Sequence, residues 1–267
     1  MKSILDSAPI SYVKWDMNRP LSDLGSSALA SDRQGELSHR YVLGLYEMLE
    51  RFITDFPDIL LEGCSGGGAR FDPGMLYYCP QIWCSDDTDA IERLQIQEGT
   101  AMVYPLSAIG AHVSDCPNHV VGRVTPFETR GYVALAGTFG YELDVTKISE
   151  EDKKLIPQQV ELYHKYNEII RNGDYYRLLS YTKQGTFDAW QVVSKDKSES
   201  VVFVIQVLNR PNYHSTRLRL KGLNETDMYK IEGQEQELSG GALINAGILI
   251  EPMSGDFKGK LIYLKRS

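Results

Sequence analysis

The sequence predicts two fold classes in one chain: an α/β part, the carboxyl-terminal part of a (β/α)8 TIM barrel, followed by an all-β part, a small antiparallel β-sandwich. Two observations carry this. Over roughly the first 180 residues, short apolar runs alternate with stretches of helical periodicity, the pattern of parallel βα units. From about residue 185 the period becomes two, and turn residues separate short β-rich segments. The predicted domains are residues 1–180, holding the last five βα units of an eight-stranded barrel, and residues 185–267.

Taken in order, Ser11 to Asp16 is a strand running into a loop that ends at Pro20. Arg40 to Phe56 is a helix, with Tyr41, Leu45, Met48, Leu49 and Phe52 on one face and Pro57 as its stop. Asp58 to Leu61 and Gln81 to Cys84 are the second and third strands, and Ala90 to Gln97 is a helix with Asp87 or Thr88 as its cap. Met102 to Leu106 and Tyr132 to Ala136 read as the fourth and fifth strands, and Lys147 to Leu179 as a closing helical region with Leu155, Val160, Tyr163, Ile169 and Ile170 as its apolar stripe. The sandwich strands are Ala189 to Ser194, Ser200 to Val207, Ser215 to Leu220, Asp227 to Ile231 and Lys260 to Leu264, with Lys195-Asp196-Lys197 and Met253-Ser254-Gly255-Asp256 as turns.

Composition narrows the function. A 267-residue chain with 42% hydrophobic residues can bury a sizeable core. Its net charge of −8 argues against nucleic acid or an anionic membrane as partner. No run approaches the ~18 apolar residues of a membrane span, and the first ten residues lack the pattern of a secretory leader. The four cysteines, Cys64, Cys79, Cys84 and Cys116, show neither a C-x-x-C pair nor a zinc spacing, so no metal is expected, all four should be thiols, and the cytoplasm is the expected compartment.

The chemistry concentrates at the ends of the first three strands. Asp16 closes the first and Asp86 follows the third, with Asp87 adjacent. Two carboxylates at the same end of neighbouring parallel strands suit glycoside hydrolysis, where one protonates the leaving oxygen and the other faces the anomeric carbon. An isolated Asp16 would read as a loop acid or a cap; the second acid and the glycine run at suitable separations change that. From the residues alone, Asp86 and Asp87 stand equal, one being the pocket acid and the other a cap for the helix near Ala90. Gly66-Gly67-Gly68 fits neither phosphate-loop nor dinucleotide spacing, which leaves close backbone approach to a ligand as its purpose. Lys14 shares a strand face with Asp16 and would keep it ionised, while Trp15 points the other way into packing. Glu62 is an orienting carboxylate or a structural ion pair, Cys64 reads first as a small buried hydrophobe, and His112 and His119 sit in a loop that could reach the pocket rim.

The motifs KWDMNR, CSGGGARFDPGMLYY and SDDTDAIERLQIQ, in this order, resemble glycoside hydrolase family 36, the bacterial α-galactosidases, over nearly the whole chain. The resemblance implies Asp16 as nucleophile and Asp86 as acid/base, with Lys14, Asn18, Cys64, Gly66 and Gly67 as sugar-contacting positions. It implies retaining hydrolysis of melibiose- and raffinose-type sugars without a cofactor, an α-galactoside oligosaccharide as binding partner, and a homo-oligomer. On that reading the two carboxyl groups face each other at about 5 to 7 Å. Family members also carry an amino-terminal sandwich and early barrel strands that do not match here, so the expectation is a carboxyl-terminal fragment with little activity of its own. Two alternatives stand beside this: a family 31-like α-glucosidase, against which CSGGG and the SDD element speak, and a catalytically silent fragment or carbohydrate-binding module.

Overall fold

The expected run of strand, helix and strand is present from the first residues of the computed structural model, which describes residues 1–18, 21–212 and 214–267. The Arg19-Pro20 end of the first loop lies outside the described residues. The chain divides into two units, Met1–Asp86 and Asp87–Ser267. In the first, α1 (Lys2–Leu5), β1 (Tyr12–Asp16), α2 (Leu37–Asp55), β2 (Leu60–Cys64), α3 (Pro73–Tyr78) and β3 (Gln81–Ile82) follow one another. The strands pair in parallel in the order β1-β2-β3, with Lys14 beside Glu62 and Asp16 beside Cys64. Alternation along β1 divides its work. Val13 and Trp15 join the core of Leu49, Phe52, Leu61, Met75 and Cys79, while Tyr12, Lys14 and Asp16 take the other face. Asp72 starts α3 by accepting Met75 N–H at 2.8 Å, with Pro73 at the first helical position.

In the second unit α4 (Ala90–Ala101) is capped by Asp89, not by Asp87 or Thr88: Asp89 Oδ1 accepts Ile91 and Glu92 N–H, each at 3.0 Å. Two expected strands are displaced. Met102 to Leu106 is the end of that helix and the start of a 3-10 turn, and Met102 and Val103 are 70% and 74% exposed, unlike a barrel strand. The strand is β4 (Gly110–Ser114), whose small and polar residues conceal a buried run. Tyr132 to Ala136 belongs largely to α5 (Phe127–Ala134), and β5 (Thr138–Glu142) follows it, parallel to β4. Short apolar runs do not distinguish buried helix from buried strand. The long helix α6 (Glu150–Asn172) starts on Ser149, whose hydroxyl accepts Asp152 N–H, and stops before Gly173. The rest of the expected helical region, Asp174–Leu179, is β6.

The antiparallel part continues through α7 (Tyr181–Gln184), β7 (Phe187–Val193), β8 (Glu199–Gln206), β9 (Thr216–Leu218), β10 (Met228–Ile231), β11 (Glu237–Ser239), α8 (Gly240–Asn245), β12 (Ile248–Ile250) and β13 (Lys258–Arg266). Six strands form one sheet in the order β11-β10-β13-β8-β7-β6, and β12 pairs with β9 as a second layer. Between the layers lie Phe187, Val202, Val204, Leu218, Ile250 and Leu264. The opposite face of the sheet is covered too: α5 and α6 pack on β13, β8 and β7, and the Tyr166 ring of α6 lies 5.2 Å from that of Tyr263. Every residue of β7 is therefore buried, and a period of two is visible instead in strands such as β10.

Because Phe203 is fully buried and stacked on Trp190 at 5.0 Å, Phe203→Ala should cost about 4 kcal/mol of stability. Leu249→Ala, at a half-exposed position of β12, should cost less than about 1 kcal/mol. Denaturant unfolding of the two variants measures the contrast.

Candidate active site

Asp16 is the last residue of β1, where the chain leaves the sheet, and its carboxylate is exposed. Asn18 connects it to the glycine loop: its Nδ2 donates to Asp16 Oδ2 at 2.8 Å, and its Oδ1 accepts Gly66 N–H at 2.6 Å. The Asn18 amide holds the Asp16 carboxyl below the usual carboxylate range; slight desolvation opposes it, while the Cys64 thiol and the charges of Lys14 and Arg70 act in the same direction as Asn18. Cys64 faces Asp16 across the strand pair and is buried, and that burial foremost pushes its thiol up to about 11. It is therefore a neutral hydrogen-bonding neighbour at any working pH.

Lys14 is less exclusively a partner of Asp16 than its spacing implied. Its Nζ lies 3.9 Å from Glu62 Oε1 and 4.5 Å from the centre of the Trp83 ring. Glu62 is 1% exposed, and Gln81 Nε2 donates to its other oxygen at 3.1 Å. A buried carboxylate requires such company. Arg70, which motif reading passed over, donates to Cys64 O at 2.9 Å and belongs to the positive surroundings of Asp16. A cleft of about 440 Å³ beside this strand end is lined by Met17, Tyr41, Tyr46, Ser65 and Arg70.

The glycine run has a more specific cause than ligand access. Gly67 has φ +78, and a Cβ there would come within 2.6 Å of Ser85 Cα and 3.1 Å of Asp86 N; one on Gly68 would lie 3.0 Å from Cys84 O. The loop after β2 thus packs backbone to backbone against the loop that carries Asp86. Gly66, at φ +53, has open space around its Cβ position, so it is the glycine of the run with room beside it for a ligand. Asp86 is exposed, whereas Asp87 is half-buried and its Oδ1 accepts Asp89 N–H at 3.0 Å. The second acid of the pair is therefore engaged in the turn into α4.

His112 lies on β4, not in a loop, and its Nδ1 is 3.3 Å from Glu142 Oε2 on β5; His119 is exposed. None of the four cysteines forms a disulfide. Among the described residues no group of His, Cys, Asp and Glu is arranged to hold a metal, and no helix is long and apolar enough to cross a membrane.

Residues 1–173 match the family described as Melibiase, and residues 187–264 match the glycosyl hydrolase family 36 C-terminal domain. The chain belongs to the melibiases of glycoside hydrolase family 36. Among its relatives, α-galactosidase AgaA of Geobacillus stearothermophilus is 51% identical over 265 residues, which are 99% of this chain and 36% of that protein. Mel36A of Lactobacillus acidophilus is 48% identical over the same shares. The chain thus spans about a third of the length of these melibiases. Among solved structures, AgaA in complex with raffinose superposes with a TM-score of 0.96 at 50% identity over 99% of this chain and 37% of that one. The α-galactosidase of Lactobacillus brevis gives 0.96 at 41% identity over 100% and 37%. The fold class is accordingly that of the melibiases: part of a TIM barrel followed by a β-sandwich. The raffinose complex was formed with one aspartate replaced by asparagine, and a stachyose complex of the same enzyme with a different aspartate replaced by alanine; the two aspartates are seventy positions apart.

Replacing Asn18 by alanine removes the largest influence holding the Asp16 carboxyl down, so its pKa should rise. Carbon-detected NMR titration of the Asp16 carboxyl in both proteins reads the shift; an unchanged or lower value would contradict the role given to Asn18. Gly67→Ala should displace the Ser85-Asp86 backbone, visible as chemical-shift changes at Ser85 and Asp86 larger than those that Gly66→Ala produces there.

Proposed function

We propose that this chain carries the catalytic pair of a retaining α-galactosidase, and that the whole protein removes terminal α-galactosyl residues from melibiose- and raffinose-type oligosaccharides. One observation carries the assignment. Asp16 and Asp86 are seventy positions apart, as are the two aspartates replaced in the raffinose and stachyose complexes of a relative 50% identical over 99% of this chain.

In this reading Asp16 is the nucleophile. An exposed carboxylate kept ionised by Asn18, with Lys14 and Arg70 nearby, can attack the anomeric carbon. Asp86, protonated, donates to the departing oxygen, and in the second step it takes a proton from the water that releases galactose from Asp16. The steps draw on carboxylates and water alone. Lys14 and Asn18 on the β1 side and Gly66 on the β2 side supply the sugar-facing surface, with the buried Cys64 beside Asp16 and Gly67 packed against Ser85. Of the two adjacent acids Asp86 is the exposed one, while Asp87 is half-buried with Oδ1 accepting Asp89 N–H, which supports Asp86 as the member of the pair.

Proton NMR of the first product should show α-galactose, the retained anomer. Asp16→Ala should lower kcat by at least about 10⁴-fold, since no other group supplies the covalent step. Appearance of β-galactose first, or ordinary turnover in Asp16→Ala, would reject the assignment. The 267 residues expressed alone should hydrolyse an aryl α-galactoside far below about 1 per second, because they span only 36% of the length of active relatives.

A further inference from the structure

Side chains from three neighbouring strands meet in one layer below the strand ends. The parallel register sets Lys14 of β1 beside Glu62 of β2, and Glu62 beside Gln81 of β3. Asp16 and Cys64, two residues further along their strands, share that face. Gln81 Nε2 donates to Glu62 Oε2 at 3.1 Å and to Tyr12 Oη at 3.2 Å, so the layer is polar across all three strands.

The ion pair within it is unequal. The Glu62 side chain is 1% exposed and that of Lys14 32%. Burying a carboxylate to that degree adds little net stability, because desolvation offsets the attraction of its cation, and an apolar residue of the same volume would hold the strands together as well. What the pair does fix is the ammonium. Lys14 Nζ lies 3.9 Å from Glu62 Oε1 and 4.5 Å from the centre of the Trp83 ring. An ammonium carries three donors, and a carboxylate on one side with a ring face on another leaves N–H for a third acceptor. A sugar hydroxyl is such an acceptor. A lysine already held in place gives up less rotamer freedom when the sugar arrives.

We propose that Glu62 is a positioning residue for galactoside binding: without touching the sugar, it holds the Lys14 ammonium over Trp83, where the ammonium meets a sugar hydroxyl. The proposal rests on the reading of Lys14 as a sugar-facing residue. Gln81 holds Glu62 in turn through its second oxygen.

The test measures kcat and KM for raffinose in the full-length protein. Lys14→Met keeps the length of the stem without the charge and should lower kcat/KM about 100-fold. Glu62→Gln keeps the shape without the charge and should raise KM about 10-fold while kcat changes less than about 3-fold. Added to Lys14→Met, it should lower kcat/KM less than about 2-fold further, because its effect runs through the ammonium. It should also raise the melting temperature of Lys14→Met, since it removes a buried carboxylate left without a cation. A crystal structure of Glu62→Gln, which needs no Lys14 variant to fold, should show Lys14 Nζ displaced from the Trp83 ring. A native KM in Glu62→Gln, an unmoved Nζ, or losses that multiply in the double variant would overturn the positioning role alone. A native kcat/KM in Lys14→Met would overturn the sugar-facing reading of Lys14 and this proposal with it.

Discussion

A carboxylate that cannot reach water organises the first three strands. Glu62 is 1% exposed on β2, and an ion so placed is tolerable only with a cation and hydrogen-bond donors at hand. The parallel register puts Lys14 directly beside it, and Gln81 comes from β3 to its second oxygen. Lys14 is thereby held between Glu62 and the face of Trp83 rather than extended into solvent. With Lys14 set, Asp16 two residues on emerges on the same face at the strand end, beside Cys64 and against the Asn18 amide. The carboxyl of the proposed nucleophile is held down first by Asn18, with the charge of Lys14, itself set by the buried Glu62, acting in the same direction.

The second acid sits in a loop that backbone contact places. Gly67 and Gly68 let the loop after β2 lie against Cys84, Ser85 and Asp86 at distances that any side chain would prevent. On its carboxyl side the same loop runs into a turn closed by Asp87 and a helix capped by Asp89. Three successive aspartates in SDDTD thus hold three different positions: one exposed, one in a turn, one buried on a helix end.

The sandwich is more than an appended module. Its central strands β7 and β8 are buried on both faces, one face on the β9–β12 layer and the other on helices α5 and α6 of the preceding βα units. Such a sheet reads as continuous apolar sequence, which is why Val201 to Ile205 stands out in the chain while the short strands β11 and β12 do not.

By itself the sequence determined the order of strand, helix and strand around Asp16, Cys64 and Asp86, the face shared by Lys14 and Asp16, and the change to antiparallel structure. Each of these rests on local periodicity or on residues a few positions apart. Only the tertiary structure decided that β4 is Gly110–Ser114 and β5 is Thr138–Glu142, because burial of Gly110, Ala111 and Val113 comes from distant elements and leaves no apolar signature in so short a run. It alone showed that Gly67 is demanded by Ser85, that Asp87 closes a turn, and that Arg123 joins Asp89 to Phe257. Those contacts join residues between two and more than a hundred positions apart. Their partners are chosen by how the elements pack, which no periodicity along the chain records.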